Sequence, residues 1–322
     1  MNRLLHPPVF QGSLRRKAYF EGWYIKCLCD DLQSSIAFIP GVSLHEGDRH
    51  AFIQVNTSEG ETEYIRFPVE AFTFSKTSFD AAIEANRFSD GGIRLSVDRP
   101  GLSLHGELSF SDMHPYPSRF LAPGIMGVFT FIPFMECYHG VVSMKHRIRG
   151  KVSFNGRDYV FENGVGYIEK DWGSSFPESW VWMQANPFRN SDASFMLSVA
   201  KIPWMGLSFT GLIGFLYHDG RLERFGTYLG HKVVRMEADK ETLRLALENR
   251  KHRLSVTAGQ GRGGKLTAPV RGKMERSMKE SLNADLEIEL RDPQGKILFS
   301  GTSHIAGFEA SGDIGGLLPK KR

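Results

Sequence analysis

Apolar and polar side chains alternate along much of this chain, which is the pattern of half-buried strands. In the clearest run, 282–290, Leu, Ala and Ile at the even positions are separated by Asn, Asp and Glu. A period of two residues is typical of antiparallel strands with one face in a core. Asn155-Gly156 and Asp219-Gly220 stand where hairpin turns would join such strands. We therefore predict an all-β fold with few helices. Shorter alternating runs occupy 93–97, 102–110 and 243–247.

The length of the chain, 322 residues, favours two domains over one core. The segment 173–178, GSSFPE, interrupts two strand-like runs near the middle. Each half then has the size of one closed antiparallel barrel, which can enclose a small apolar ligand. We predict two tandem lipocalin-like barrel modules, an N-terminal one at 1–174 and a C-terminal one at 175–322.

The stretch 164–186 places acids among large aromatic side chains. Glu169 and Asp171 should share one face of a strand, because side chains two residues apart point the same way. Such acids suit either catalysis or burial with hydrogen bonds, and for Asp171 the alternative role is to cap backbone amides at the junction of the modules. The other candidates in this stretch are Trp172, Trp180, Trp182 and Gln184, the last three of which should share a face.

Two earlier runs repeat this mixture of polar and aromatic residues. In 18–26, Glu21 and Trp23 should share a face, next to Tyr24; the alternative is a core strand in which Glu21 pairs with Lys26 or an arginine. In 50–56, Gln54 lies on a face that suits either a cavity wall or solvent.

The run 135–146 contains Tyr138, His139 and His146. The two histidines are seven residues apart, so a strand would point them to opposite faces, and no third ligand sits at metal spacing. We predict no metal, and His139 is either a proton shuttle or a satisfied core histidine. A G-x-G-x-x-G match at 259–264 is not followed by a helix start, so we predict no dinucleotide and no other cofactor.

Composition limits the partners. The net charge of +4 and the pI near 8.9 are too weakly basic to indicate nucleic acid. Three cysteines and an N-terminus without an apolar signal-peptide core predict a cytoplasmic protein. The charge-free stretch 120–135 is too short for a membrane span. It is either a buried plug or an apolar lip, and the lip, together with the basic stretch 251–279, would allow peripheral contact with a membrane.

Five runs resemble the tocopherol cyclase family and come in the family's order over roughly the first 190 residues. The longest is GYIEKDWGSSFPESWVWMQANPF at 166–188. The resemblance implies a lipocalin-like fold, similar to that of carotenoid 1,2-hydratases and of lipocalin-like cyclases. It also implies closure of a chromanol ring on a prenylated hydroquinone without metal or nucleotide. The other runs are AYFEGWYIK (18–26), AFIPG (37–41), HAFIQV (50–55) and GIMGVFTFIPFMECYHGVVSMKH (124–146).

The reaction implied by the resemblance starts when an acid protonates a prenyl double bond. Our hypothesis takes Asp171 as the first choice of acid, Glu169 as the second, and His139 as a residue that orients the head group or takes its proton. Burial among apolar rings would keep a carboxyl protonated, and indole faces would stabilise the carbocation. The residues assigned to substrate binding are Trp172, Trp180, Trp182, Gln184, Trp23, Tyr24, Glu21, Gln54 and Tyr138. The alternatives are a carrier that binds an apolar ligand without chemistry, and a scaffold that uses its basic surface.

Overall fold

The structure is a computed structural model that describes residues 3–120, 122–133, 135–204 and 207–318. Within these ranges the regular structure is β, with short 3-10 helices and no α-helix, which confirms the all-β prediction. None of the described helices is long and apolar enough to cross a membrane. The 3-10 helices are Arg3–Leu5, Val69–Ala71, Gly127–Phe131, Thr227–Leu229 and Gly315–Leu317.

The first sheet has 11 antiparallel strands in the order β4-β3-β2-β1-β13-β12-β9-β8-β7-β6-β5, and β10 pairs with β11 in a separate ribbon. The strands are β1 (Ala18–Leu28), β2 (Ser35–His45), β3 (Asp48–Thr57), β4 (Thr62–Pro68), β5 (Phe72–Phe74), β6 (Asp80–Ile83), β7 (Asn86–Ser89), β8 (Gly92–Arg99), β9 (Leu102–Ser111), β10 (Ser118–Arg119), β11 (Ala122–Pro123), β12 (Cys137–Phe154) and β13 (Arg157–Gly173).

The second sheet has 10 strands, nine of them in the order β17-β16-β15-β14-β23-β22-β20-β19-β18, while β21 also pairs with β22. The strands are β14 (Trp180–Ala185), β15 (Ser194–Trp204), β16 (Leu207–His218), β17 (Arg221–Gly226), β18 (Lys232–Ala238), β19 (Thr242–Glu248), β20 (Arg253–Gly259), β21 (Gly263–Val270), β22 (Lys273–Arg291) and β23 (Ile297–Ser311).

Each sheet curls on itself like a barrel. The two edge strands of the first sheet, β4 and β5, are consecutive in the chain and joined only by the 3-10 helix Val69–Ala71. The edges of the second sheet, β17 and β18, are joined in the same way through Thr227–Leu229. Because so few residues connect them, the two edges of each sheet must meet at that corner. The sheets divide between β13 and β14, and the domain limits of 1–174 and 175–322 stay a prediction.

The central strands are buried on both faces because each curled sheet also packs against the other. In β14, Val181 and Met183 point into the core of the second sheet, whereas Trp180 and Trp182 point toward the first. β13 is divided in the same way, with Ile168 in the core of the first sheet. The described residues therefore form three large apolar clusters, one inside each sheet and one between them.

The charge-free stretch 120–135 combines the two predicted roles. Met126 and Phe129 are directed at a cavity between the sheets, while Phe120, Val128 and Phe131 are exposed. Leu121 and Phe134 lie outside the described residues.

Candidate functional site

A cavity lies in the cluster between the two sheets. Its empty volume, counted with the space at its mouth, is about 1280 Å³. Most of its wall is apolar, as in sites for small hydrophobic ligands. Strands of both sheets contribute, because the outward faces of β1, β3 and β13 meet those of β14, β16 and β23. The aromatic residues of the wall are Phe20, Tyr24, Phe52, Phe129, Phe176, Trp180, Trp182 and Phe209.

A histidine between two carboxylates forms the polar part of this wall. His139 of β12 pairs with Asp171 of β13 in the strand register, so the two side chains leave the sheet side by side. The Nδ1 atom of His139 is 2.9 Å from Oδ1 of Asp171. Its Nε2 atom is 3.3 Å from Oε2 of Glu169, two residues earlier on the same face of β13. The contact with Asp171 is a hydrogen bond, whereas the contact with Glu169 is an ion pair without hydrogen-bond geometry, so the ring lies between two carboxylates but is hydrogen-bonded only to Asp171.

The charge of this group follows from its surroundings. Burial alone would lower the pKa of His139, but the carboxylates of Asp171 and Glu169 raise that pKa to about 10. The ring is therefore an imidazolium at neutral pH. Burial and the nearby Asp171 carboxylate raise the pKa of the Cys137 thiol well above its usual value, so this thiol is neutral and a poor nucleophile.

The carboxylates of Glu169 and Asp171 differ in their hydrogen bonds and in their exposure. Oε2 of Glu169 accepts hydrogen bonds from the Tyr167 hydroxyl at 2.6 Å and from the Trp182 indole at 3.2 Å. Among the described residues no group donates to Oδ2 of Asp171, whose side chain is 25% exposed and lines the cavity. Oε1 of Glu169 likewise has no donor among the described residues, so exposure is what separates the two acids: the Glu169 side chain is 5% exposed, whereas Asp171 is the acid more open to a ligand.

The same three residues correct the sequence argument about metals. That argument found no third ligand at metal spacing along the chain, but donor atoms of His139, Glu169 and Asp171 lie within 4.8 Å of one another. Both carboxylates belong to β13, the strand beside that of His139, and the spacing of residues along the chain does not reveal such a group. The two carboxylates face different ring nitrogens, however, so their oxygens do not converge with a single imidazole lone pair as a metal requires. The arrangement therefore fits a protonated histidine better than a bound metal ion.

Seven of the predicted site residues line the cavity together. The alternation of apolar and polar residues could group them only within one strand at a time. Gln54 is among them, although its amide is engaged in two hydrogen bonds to the Thr267 backbone of β21, at 2.9 and 3.0 Å. The seven are Asp171, Glu169, His139, Trp180, Trp182, Tyr24 and Gln54.

Five predicted substrate-binding residues lie elsewhere, outside the lining of the cavity. Trp23 and Trp172 point into the core of the first sheet. Glu21 is on that side too, buried against Lys170 rather than Lys26 or an arginine. Gln184 accepts a hydrogen bond from the buried Lys26 at 3.1 Å. The fifth, Tyr138, stacks on Trp172 and donates its hydroxyl to the backbone carbonyl of Ile132 at 2.8 Å.

The sequence analysis missed two acids on the second sheet, the buried Glu280 and the partly buried Glu309. Glu309 of β23 lines the cavity and accepts a hydrogen bond from the Trp180 indole at 2.9 Å. Glu280 of β22 lies directly opposite Glu309 in the strand register and accepts one from the Tyr24 hydroxyl at 2.5 Å. An acid between Met278 and Leu282, at positions that alternation reserves for apolar residues, was a usable signal for Glu280. No such signal marked Glu309. Without the first sheet, its face of β23 would be exposed to solvent, and an acid at an exposed position is ordinary.

Comparison with known proteins identifies the family of this chain. A family model described as tocopherol cyclase-like matches residues 113–312. The chain belongs to the tocopherol cyclase-like family. The match includes His139, Glu169, Asp171 and Glu309, and it extends well beyond residue 190, where the resemblance read from the sequence ended.

One curated relative is the chloroplastic tocopherol cyclase of Zea mays, which is 26% identical over 199 residues. That alignment covers 58% of this chain but 41% of the plant protein, so the chain spans less than half of the relative's length.

Solved structures share the fold. The crystal structure of CghA aligns with 92% of this chain and 89% of its own, with a TM-score of 0.56 at 10% identity. Kievitone hydratase from Nectria haematococca aligns with 95% of this chain and 94% of its own, with a TM-score of 0.51 at 9% identity. The lipocalin-like, two-module prediction of the fold is confirmed.

Proposed function

We propose that this protein catalyses a proton-initiated ring closure of a prenylated hydroquinone or a related isoprenoid in the cavity between its two sheets. One observation carries the proposal. In a chain of the tocopherol cyclase-like family, a mostly apolar cavity contains an imidazolium between two carboxylates, and the more exposed of these, Asp171, lines the cavity with an oxygen to which no described group donates.

The chemistry needs three things that the lining offers. The ring and its prenyl tail must be held folded, which an apolar wall does by excluding water and fixing orientation. The tertiary carbocation must be stabilised, and each of the indoles of Trp180 and Trp182 would contribute about 0.5–2 kcal/mol if its face meets the cation. A proton must be given to the alkene and another removed from the phenol, which requires acid and base groups in contact with the substrate.

The clamped histidine sets the properties of Asp171. Glu169, fixed by Tyr167 and Trp182, holds one side of the imidazolium, and the other side donates to Asp171. Asp171 is thus held at Oδ1 while its side chain lines the cavity, as a group that exchanges protons with a substrate must be.

The experiment is an incubation in D₂O with a panel of prenylated hydroquinones, followed by mass spectrometry. Ring closure is an isomerisation, so in H₂O the product keeps the mass of the substrate and changes only its retention time. In D₂O the former alkene carbon gains one deuterium that does not exchange back. Absence of a ring-closed product from every member of the panel would contradict the proposed reaction.

A second function, a carrier of an apolar isoprenoid or quinone ligand, is favoured by the size and apolar lining of the cavity. Extraction of purified protein separates the two. A carrier releases unmodified ligand and leaves added hydroquinones unchanged, whereas the enzyme converts them.

A further inference from the structure

Two acids on the second sheet form a carboxyl pair that the clamped histidine does not use. Glu309 and Glu280 are directly opposite each other on β23 and β22, and Glu309 also faces Trp182 of β14 in the register. Glu309 reaches the cavity surface, while Glu280 sits behind it with no exposed surface. The cavity is therefore bordered by acids from both sheets, Asp171 on one and Glu309 on the other.

The immediate surroundings of Glu309 are apolar or acidic. Trp180 donates one hydrogen bond to it, and no ion pair with a cation is formed by Glu309 among the described residues. Lys26, a buried lysine of this region, is directed instead at Gln184 and at the backbone carbonyl of Ile305, at 3.1 and 2.7 Å. A carboxylate in such a place would be poorly solvated and close to other carboxylates, so the neutral acid is the stable form.

The direction of the pKa shifts agrees. Burial raises the pKa of Glu309 well above its usual value, and the charges of Glu280, Glu169 and Asp171 add to the shift. Burial raises the pKa of Glu280 to about 7, against the lowering effect of Tyr24 and Lys26.

We propose that Glu309 donates the proton that starts ring closure and that Asp171, on the facing sheet, accepts the proton released by the phenol. This inference rests on the proposed function. It reverses the role that the sequence hypothesis gave to Asp171, and it matches acid and base to their surroundings. Glu309 accepts from the Trp180 indole and forms no ion pair among the described residues, whereas Asp171 forms an ion pair with His139.

The steps balance without a further reactant. The O–H bond of Glu309 breaks as a C–H bond forms at the less substituted alkene carbon, and the π electrons move into that bond. The phenolic oxygen then forms a C–O bond to the tertiary cation and gives its proton to Oδ2 of Asp171. Solvent exchange returns a proton to Glu309 and removes one from Asp171 when the product leaves.

The test compares Glu309→Gln with Glu287→Gln, an exposed acid on the outer face of β22. The amide introduced by Glu309→Gln can still accept from the Trp180 indole but cannot donate a strongly acidic proton. We expect kcat to fall about 10²–10⁴-fold in E309Q, with little change in KM or melting temperature, while E287Q behaves as the wild type. A folded E309Q with wild-type kcat would overturn the assignment.

A second measurement does not depend on turnover. Infrared spectra at about pH 8 should contain the carbonyl band of a protonated carboxylic acid, and the difference between the wild-type and E309Q spectra assigns this band to Glu309. Equal spectra for the two proteins would also overturn the assignment. If no hydroquinone is converted but the band is present and lost in E309Q, the proposed reaction fails and the proton-carrying state of Glu309 stands.

Discussion

Asp171 and His139 form a pair whose function depends on contact with the cavity. A second Asp–His pair, Asp98 and His105, has its atoms 3.1 Å apart on the surface of the first sheet and provides a matched control. Comparison of the two pairs separates the effect of an aspartate beside a histidine from the effect of its place in the cavity.

At Asp171, we expect Asp171→Asn to lower kcat about 10²–10⁴-fold, because the amide cannot accept the proton of the phenol. The melting temperature should fall as well, because the imidazolium of His139 loses the carboxylate it is hydrogen-bonded to. Asp98→Asn should leave both quantities unchanged. Turnover measured per folded molecule decides the role: a destabilised D171N protein with full turnover per folded molecule would assign Asp171 a structural role at the seam.

The charge of His139 makes a prediction about pH. Its pKa is raised from 6.5 to about 10 in the folded protein, so the imidazolium stabilises the fold fully below pH 6.5, and this contribution is lost as the pH rises through about 10. His139→Gln should cost about 3–5 kcal/mol near pH 6, because it leaves the buried Glu169 and the partly exposed Asp171 without their cation. The difference from the wild type should shrink toward pH 10. Urea unfolding over this range, with His105→Gln as control, measures it; a difference that is independent of pH would mean a neutral His139.

At the scale of the strand, β13 carries two separate polar groups, one on each of its faces. Glu169 and Asp171 face the cavity, whereas Lys170 faces the core of the first sheet, where its Nζ atom is 2.5 Å from Oε1 of Glu21. Lys170 also donates to the backbone carbonyls of Pro7 and Val9. This buried ion pair ties β1 and β13 to the N-terminal segment 7–12.

We expect Lys170→Met to destabilise the protein by about 3–5 kcal/mol, since Glu21 would remain buried without its cation. Amide exchange should increase at Gln11 and Gly12, whose backbone amides donate to Glu21 at 2.8 and 3.0 Å. The exposed pair of Lys151 and Asp158 is the control, and Lys151→Met should cost at most about 1 kcal/mol. Equal losses in the two variants would show that the buried pair contributes no more than a surface pair.

The alternation of side chains explains why the sequence predicted correctly which residues share a face of a strand, but not which face meets the other sheet. It grouped Glu169 with Asp171, and Trp180 with Trp182, because neighbouring residues of a strand must point to opposite faces. It could not say which face meets the other sheet. Trp172 was therefore expected at the ligand, although its parity with Lys170 places it in the core.

At the scale of the whole molecule, the cavity opens beside an apolar rim. Val128 and Phe131 of the 3-10 helix Gly127–Phe131 are 51% and 45% exposed, and Leu207 at the start of β16 is 79% exposed. Phe129 of the same helix packs against Phe209 of β16, with ring centroids 6.4 Å apart, and both rings line the cavity. We propose that this rim touches a lipid surface, from which an apolar substrate would enter.

The rim predicts binding to neutral phosphatidylcholine vesicles that is insensitive to salt, because its contacts are apolar. Burial of two half-exposed side chains contributes about 1 kcal/mol each, so Val128→Asp with Phe131→Asp should weaken vesicle sedimentation about tenfold or more. Ile297→Asp, at a residue that is 48% exposed outside the rim, is the control. Equal binding by both variants would contradict a membrane role for the rim.

The sequence by itself determined the strands, their two faces and the family, because side-chain periodicity and the motifs around 166–188 are local properties. Only the tertiary structure decided which polar residues form the site. The contacts of His139 with Asp171 and Glu169 need two strands in register, and Glu309 is partly buried only because the first sheet covers its face. Pairing between distant strands and packing of one sheet on another are long-range contacts, and a pattern along the chain carries no record of them.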